Sequence, residues 1–197
     1  MTARQLTFKR MQDTTADDWA IITARPDTKL FEELPDRLLG ALRFLENGDF
    51  YTVNGLEHSL QAGTRALRDG RPAEYVVAAL LHDVGDLVGP RNHAAVAASI
   101  LRPYVSERIA WIVEHHTVFQ YKHFGRHIGV DADMRDAYLG HPYYDDAAEF
   151  SDLYDSESFD PSYDSLPLEE FEPLLRQVFV SSDRSPFELV MHRATDA

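Results

Sequence analysis

The chain has 197 residues, is 44% hydrophobic and carries a formal net charge of −14. That is enough apolar content for one substantial core, and the wrong sign for non-specific binding to nucleic acid or to anionic membranes. It contains no cysteine, which excludes disulfides, thiolate metal sites and a cysteine nucleophile.

The opening stretch MTARQLTFKR has no apolar leader core, and no run reaches about 18 apolar residues. The sequence therefore predicts a soluble, cytoplasmic protein with no membrane partner and no nucleic-acid partner. The first helical pattern covers 36–45 and stops at Asn47-Gly48. A second runs from Leu56 to Leu67 and ends at Asp69-Gly70. Pro72 suits the first turn of a third helix, which carries the apolar run YVVAALL (75–81) to about Val84 and breaks over 85–90. Asn92 is a good N-cap for a fourth helix ending at Pro103. Ser106 opens a fifth, reaching His115-His116. Residues 120–141 are mixed, with Gly125, Gly129 and Gly140. A further helix fits 142–155, the stretch 156–167 is turn-rich and acidic, and Leu168–Phe179 is a last amphipathic helix. The tail from Ser181 reads as loosely held. Trp19 and Trp111 read as core anchors. No strand pattern, repeat or linker interrupts this, so the expected fold is all-α, a single domain.

Nine histidines is a high count, and six of them lie between His82 and His127. His58, His82, Asp83, His93, His115, His116 and Asp155 fall on or near different predicted helices. A lone buried histidine is more often a hydrogen-bonded core residue than a ligand. The pair His82-Asp83 is different, because it follows directly on an apolar helix, and a buried carboxylate without a partner costs several kcal/mol. A metal is the simplest compensation. Adjacent helical residues point about 100° apart, so the pair cannot serve one ion as equivalent neighbours. It can flank a dinuclear centre, with the carboxylate bridging and the imidazole terminal, as helical bundles do with side chains from facing helices. Imidazole plus carboxylate suits iron, manganese, nickel or zinc.

The order His58, His82-Asp83, His93, His116, Asp155 resembles the HD-domain superfamily, an all-α metal-binding fold. The stretches GLEHSLQAG (55–63), AALLHDVGDL (78–87), NHAAVAASILRPYVSERIAWIVEHH (92–116) and SFDPSYDSLPLEEFEPLLRQVF (158–179) are similar to one subgroup. That subgroup comprises the mixed-valent diiron oxygenases that cleave the C–P bond of 1-hydroxyphosphonates, relatives of myo-inositol oxygenase. The likeness is greatest to the type acting on (R)-1-hydroxy-2-(trimethylammonio)ethylphosphonate, and it covers roughly 30–180.

The resemblance implies two iron ions, Fe(II) and Fe(III), with dioxygen as co-substrate. The ligands it implies are His58, His82, Asp83 as the bridge, His93, His116 in preference to His115, and Asp155 with Asp152 as the fallback. The substrate's 1-hydroxyl and a phosphonate oxygen would chelate one iron, and the products would be glycine betaine and phosphate.

The chain also departs from the subgroup pattern. A tyrosine and a glutamate that plug the open iron site are replaced by Gly48 and Tyr51, so either Tyr51 stands in or the plug is absent. The pair is followed by Asp86 where a phosphonate-binding histidine is common. A lysine four residues after the fourth histidine is Gln120, with Lys122 and Arg126 as nearby cations for the phosphonate. Tyr51, Phe119, Tyr121, Tyr143, Tyr144, Phe150, Tyr154 and Phe159 could supply an aromatic cage for a quaternary ammonium, although most such rings pack cores. The rival readings are an HD-type metal-dependent phosphohydrolase and a metal-binding scaffold without turnover.

Overall fold

The computed structural model describes residues 6–24, 32–48 and 51–180, and the tail from Ser181, with His192, lies outside the described residues. The chain divides into two compact units, 1–34 and 35–197.

In the first unit, helix α1 (Ala16–Ala24) is opened by a reciprocal cap. The Thr15 backbone N–H donates to Asp18 Oδ2 at 2.9 Å, and the Asp18 N–H returns to Thr15 Oγ1 at 3.2 Å. This is the capping-box arrangement, and the sequence TADD carries its signal. Helical periodicity alone passed over it. Trp19 is not a core anchor: it is 40% exposed, because this short helix carries Asp17, Asp18 and Trp19 in succession, and its indole N–H donates to Thr14 Oγ1 at 3.0 Å.

The second unit is all-α among the described residues, built around one buried helix. Helices α2 (Leu34–Phe44), α3 (Gly55–Arg68) and α4 (Ala73–Leu81) come first. They are followed by α5 (His93–Leu101), α6 (Glu107–Phe124), α7 (Tyr144–Phe150) and α8 (Glu172–Val180). Asn54 caps α3 by accepting from the Glu57 N–H. Every residue of α4 from Tyr75 to Leu81 is buried, as expected of a helix that is apolar all round. It packs on α3, α6 and α8. Burying the Val and Leu side chains of that run contributes about 1.5–3 kcal/mol each. Trp111 is buried on α6.

One helix outruns its expected end, and two expected helices keep their ends but change type along the way. Helix α6 runs on to Phe124, because its second half packs against α7 and the turns after it. Helix α7 does not end at Phe150 but widens into a π turn over Ser151–Asp155, a feature without sequence periodicity and one often found at functional sites. The last amphipathic segment starts as a 3₁₀ turn, Leu168–Phe171, before α8, whose first turn contains Pro173. No helix among the described residues is long and apolar enough to cross a membrane.

The acidic stretch 156–167 is tied to α3 by polar side chains. Gln61 Nε2 donates to Asp160 O at 2.7 Å, and Gln61 Oε1 accepts from Asp160 N at 3.2 Å. Arg65 donates to Glu157 O, and Thr64 Oγ1 accepts from Leu166 N. Gln61 and Thr64 are fully buried, so the loop is anchored to α3 while Glu157, Asp160 and Asp164 stay exposed.

Candidate metal centre

Helix α4 delivers His82 and Asp83 to the middle of the bundle, where α3 contributes His58, α5 His93, α6 His116 and the π turn Asp155. His58 Nε2 lies 3.0 Å from His82 Nε2. Asp155 Oδ1 is 3.4 Å from His58 Nε2 and 3.7 Å from His82 Nε2. Asp83 Oδ2 is 3.4 Å from each of these imidazole nitrogens. On its other side, Asp83 Oδ1 is 3.2 Å from His116 Nε2 and 3.4 Å from His93 Nε2, and those two nitrogens are 3.2 Å apart. One carboxylate thus faces two pairs of imidazoles, one pair per oxygen. His58–His82–Asp155 and His82–Asp83–His116 are each close enough to hold one cation.

The ring orientations are set from behind. His58 Nδ1 donates to Ser158 O at 2.9 Å, His82 Nδ1 to Ala79 O at 2.8 Å and His116 Nδ1 to Val113 O at 2.7 Å. His93 Nδ1 faces Pro90 O at 3.4 Å and Asp86 Oδ1 at 3.3 Å. A carbonyl can only accept, so the proton stays on Nδ1 and each Nε2 lone pair turns inward. Two lone pairs 3.0 Å apart in a buried site repel unless a cation lies between them. Asp155 Oδ1 accepts from Gln120 Nε2 at 2.6 Å, while its buried Oδ2 has no partner, an orphan that a cation would satisfy. The donor set therefore fits metal ions, and with nitrogen and oxygen alone it fits iron, manganese, nickel or zinc.

The halves differ in access. His58, His82, Asp155 and His116 are buried, whereas the side chains of Asp83 and His93 are 23% and 20% exposed. Phe159 covers the inner half, its ring 4.5 Å from His58, and Phe150 meets His82 edge-on. Tyr51 leans on Phe159 with ring centroids 5.3 Å apart and is itself exposed.

Charge is strongly organised here. Burial by itself would lower the His82 pKa, but the carboxylates of Asp83 and Asp155 raise it well above the ordinary value. Burial would raise the Asp83 and Asp155 carboxyls, yet the imidazoles hold both below the usual range. Asp86 is raised, by burial and then by the Asp83 charge.

These directions make a stability prediction for the metal-free protein. The His82 contribution is present below about pH 6.5, the unfolded value, and disappears as pH rises through the raised folded value. The Asp83 and Asp155 contributions are present above about pH 3.9 and disappear on acidification. Metal-free protein should melt highest between these limits and lose stability above them. Added metal should restore stability at alkaline pH, because the ion displaces the shared proton. Melting curves from pH 4 to 9 with and without metal check this, and a metal-free melting temperature that climbs steadily above pH 7 contradicts it.

The other sequence-predicted residues are placed as follows. His115 is outside the cluster: its Nδ1 donates to Trp111 O and its ring stacks on Trp111, whose opposite neighbour is His141. Asp152 is one turn before Asp155 but pairs with His123 at 3.0 Å and Arg135 at 3.6 Å. Lys122 and Arg126 both face Asp133. Gln120 points to Asp155 as described. Of the aromatics, Phe119, Phe150 and Tyr154 are fully buried core. Sequence reasoning missed Thr117, whose Oγ1 is 3.1 Å from His93 Nε2, and Ser158, whose carbonyl orients His58. It also missed Gly85. A Cβ there would lie 2.1 Å from His93 O, so only glycine lets the 3₁₀ turn after Asp83 approach α5 this closely. The HD-domain family model matches residues 55–147, the segment holding His58, His82, Asp83, His93 and His116. Over that segment the chain is similar to the HD domain, and the all-α fold and the His/Asp cluster agree with that likeness.

Proposed function

We propose that the protein is an iron- and O2-dependent oxygenase that cleaves the C–P bond of a 1-hydroxyphosphonate, with (R)-1-hydroxy-2-(trimethylammonio)ethylphosphonate as the favoured substrate. The observation that carries the reading is the position of Asp83, one oxygen toward His58 and His82 and the other toward His93 and His116. That is the arrangement a bridged dinuclear centre requires. The likeness of the flanking sequence to the hydroxyphosphonate oxygenases supports the choice of chemistry.

When bound, a pair of irons would supply Lewis acidity and the electron-transfer capacity that O2 chemistry demands. The chain's residues do the rest. Four backbone carbonyls fix the imidazole tautomers. Gln120 holds Asp155, and Phe159 and Phe150 keep water from the inner half. Four neutral imidazoles and two aspartates offset only about two of some five positive charges on a mixed-valent pair, so a dianionic phosphonate is attracted despite the acidic chain. The exposed Tyr51 ring beside Phe159 offers an aromatic surface for a quaternary ammonium. Overall, one hydroxyphosphonate and one O2 give one carboxylic acid and one phosphate, with all atoms conserved.

The HD-domain match favours a second reading, a hydrolase that uses the same ligands to activate water against a phosphoester. Oxygen-electrode traces with parallel phosphate assays separate the two. The oxygenase reading expects equimolar O2 uptake and phosphate release, both absent under nitrogen. Phosphate release that continues anaerobically refutes it.

A further inference from the structure

We infer that Thr117 is a substrate-binding residue, its hydroxyl donating to the oxyanion end of the substrate at the outer half of the centre; this rests on the reading proposed above. Three observations converge on it. First, the outer half is the incomplete one. The inner half is faced by His58, His82, Asp155 and one oxygen of Asp83. The outer half has His93, His116 and the other Asp83 oxygen.

Second, the outer half is the one solvent reaches, through the partly exposed Asp83 and His93. A small anion therefore meets this half first, where three side chains rather than four would hold the ion.

Third, the Thr117 hydroxyl is directed into that half. A helical threonine can return its proton to a carbonyl three or four residues back. Thr117 instead brings Oγ1 to 3.1 Å from His93 Nε2 and 3.4 Å from His116 Nε2. Both nitrogens present lone pairs, so the hydroxyl is the donor. A cation taken up by those lone pairs releases this proton, and the donor is then left facing whatever oxygen completes the outer half. Lys122 and Arg126 are both directed at Asp133 instead, whereas the Thr117 hydroxyl faces the outer imidazoles.

The test is calorimetric titration of anaerobic, iron-loaded protein with 1-hydroxyethylphosphonate, alongside metal analysis and a thermal melt. Thr117→Val keeps the shape and removes the hydroxyl, and Thr117→Ser restores it. The expected result is wild-type iron content and melting temperature in both variants, about tenfold or greater weakening of phosphonate binding in Thr117→Val, and recovery in Thr117→Ser. In turnover the loss should fall on KM more than on kcat. Wild-type binding by iron-replete Thr117→Val overturns the inference while leaving the proposed function standing. Loss of iron from Thr117→Val also overturns it, by making the residue part of metal retention. Failure of the wild-type protein to bind the phosphonate overturns both.

Discussion

Asp83→Ala should lose both metal ions and more than about 100-fold of phosphate release, while the metal-free protein keeps its fold. One carboxylate would serve both sites. Its Oδ2 is within 3.4 Å of both inner imidazoles, and its Oδ1 is within 3.4 Å of both outer ones. Removing a partner that only orients a ligand already lowers metal affinity or activity about 10- to 100-fold; removing a ligand common to both ions exceeds that. The substitution leaves no orphaned backbone group and Asp83 is partly exposed, so the fold should survive, less stable by the contribution Asp83 makes beside His82. His58→Ala is the useful contrast, because it strips only the inner half and should leave more metal behind. Metal analysis, phosphate assay and circular dichroism on the same preparations check the prediction. Retention of two ions by Asp83→Ala would show that the carboxylate is not the bridge.

Gly85→Ala should unfold more readily and lose the outer ion, although it adds only a methyl group and touches no proposed ligand side chain. The new Cβ would lie 2.1 Å from His93 O and 2.8 Å from His93 Cα. Those are backbone atoms at the start of α5, and no rotamer change relieves the overlap. The 3₁₀ turn Val84–Leu87 or the N-terminus of α5 must move, and His93 moves with it. Forced overpacking of this kind costs about 1–3 kcal/mol, occasionally more. Gly40→Ala is the control: a Cβ there meets nothing within 4 Å, and the position is exposed on α2. It should stabilise by up to about 1 kcal/mol through helix propensity. Chemical denaturation gives the stability difference, and metal analysis should find Gly85→Ala with less metal than wild type. An unaffected midpoint and full metal content would contradict the geometry at His93.

What could be read ahead of the structure, and what could not, follows from the range of the interactions involved. The run YVVAALL announces a buried helix, and a His-Asp pair ending such a helix announces a charge that must be compensated. Both signals are local, and both are met in the structure. The choice of His116 over His115 came from resemblance to a family, and the structure brings His116 rather than its neighbour against Asp83. Asp155 was suggested the same way, but the π turn that carries it has no periodicity for a sequence to show. The pinning of 156–167 on α3 was illegible for a further reason. Gln61 and Thr64 look like ordinary polar helix positions until residues about 100 places later are laid over them. Gly85 reads as a helix breaker in sequence. Its importance is the approach of a second backbone, a contact that no single-chain pattern contains. Thr117 is hidden by standing next to a histidine that takes all the attention.

The central claim is a pair of metal ions bridged by Asp83, and anomalous diffraction from crystals of iron-loaded protein tests it most directly. The account predicts two peaks about 3.5–4 Å apart, one among His58, His82 and Asp155, the other beside His93 and His116, with Asp83 between them. A single peak, or peaks away from Asp83, would contradict it.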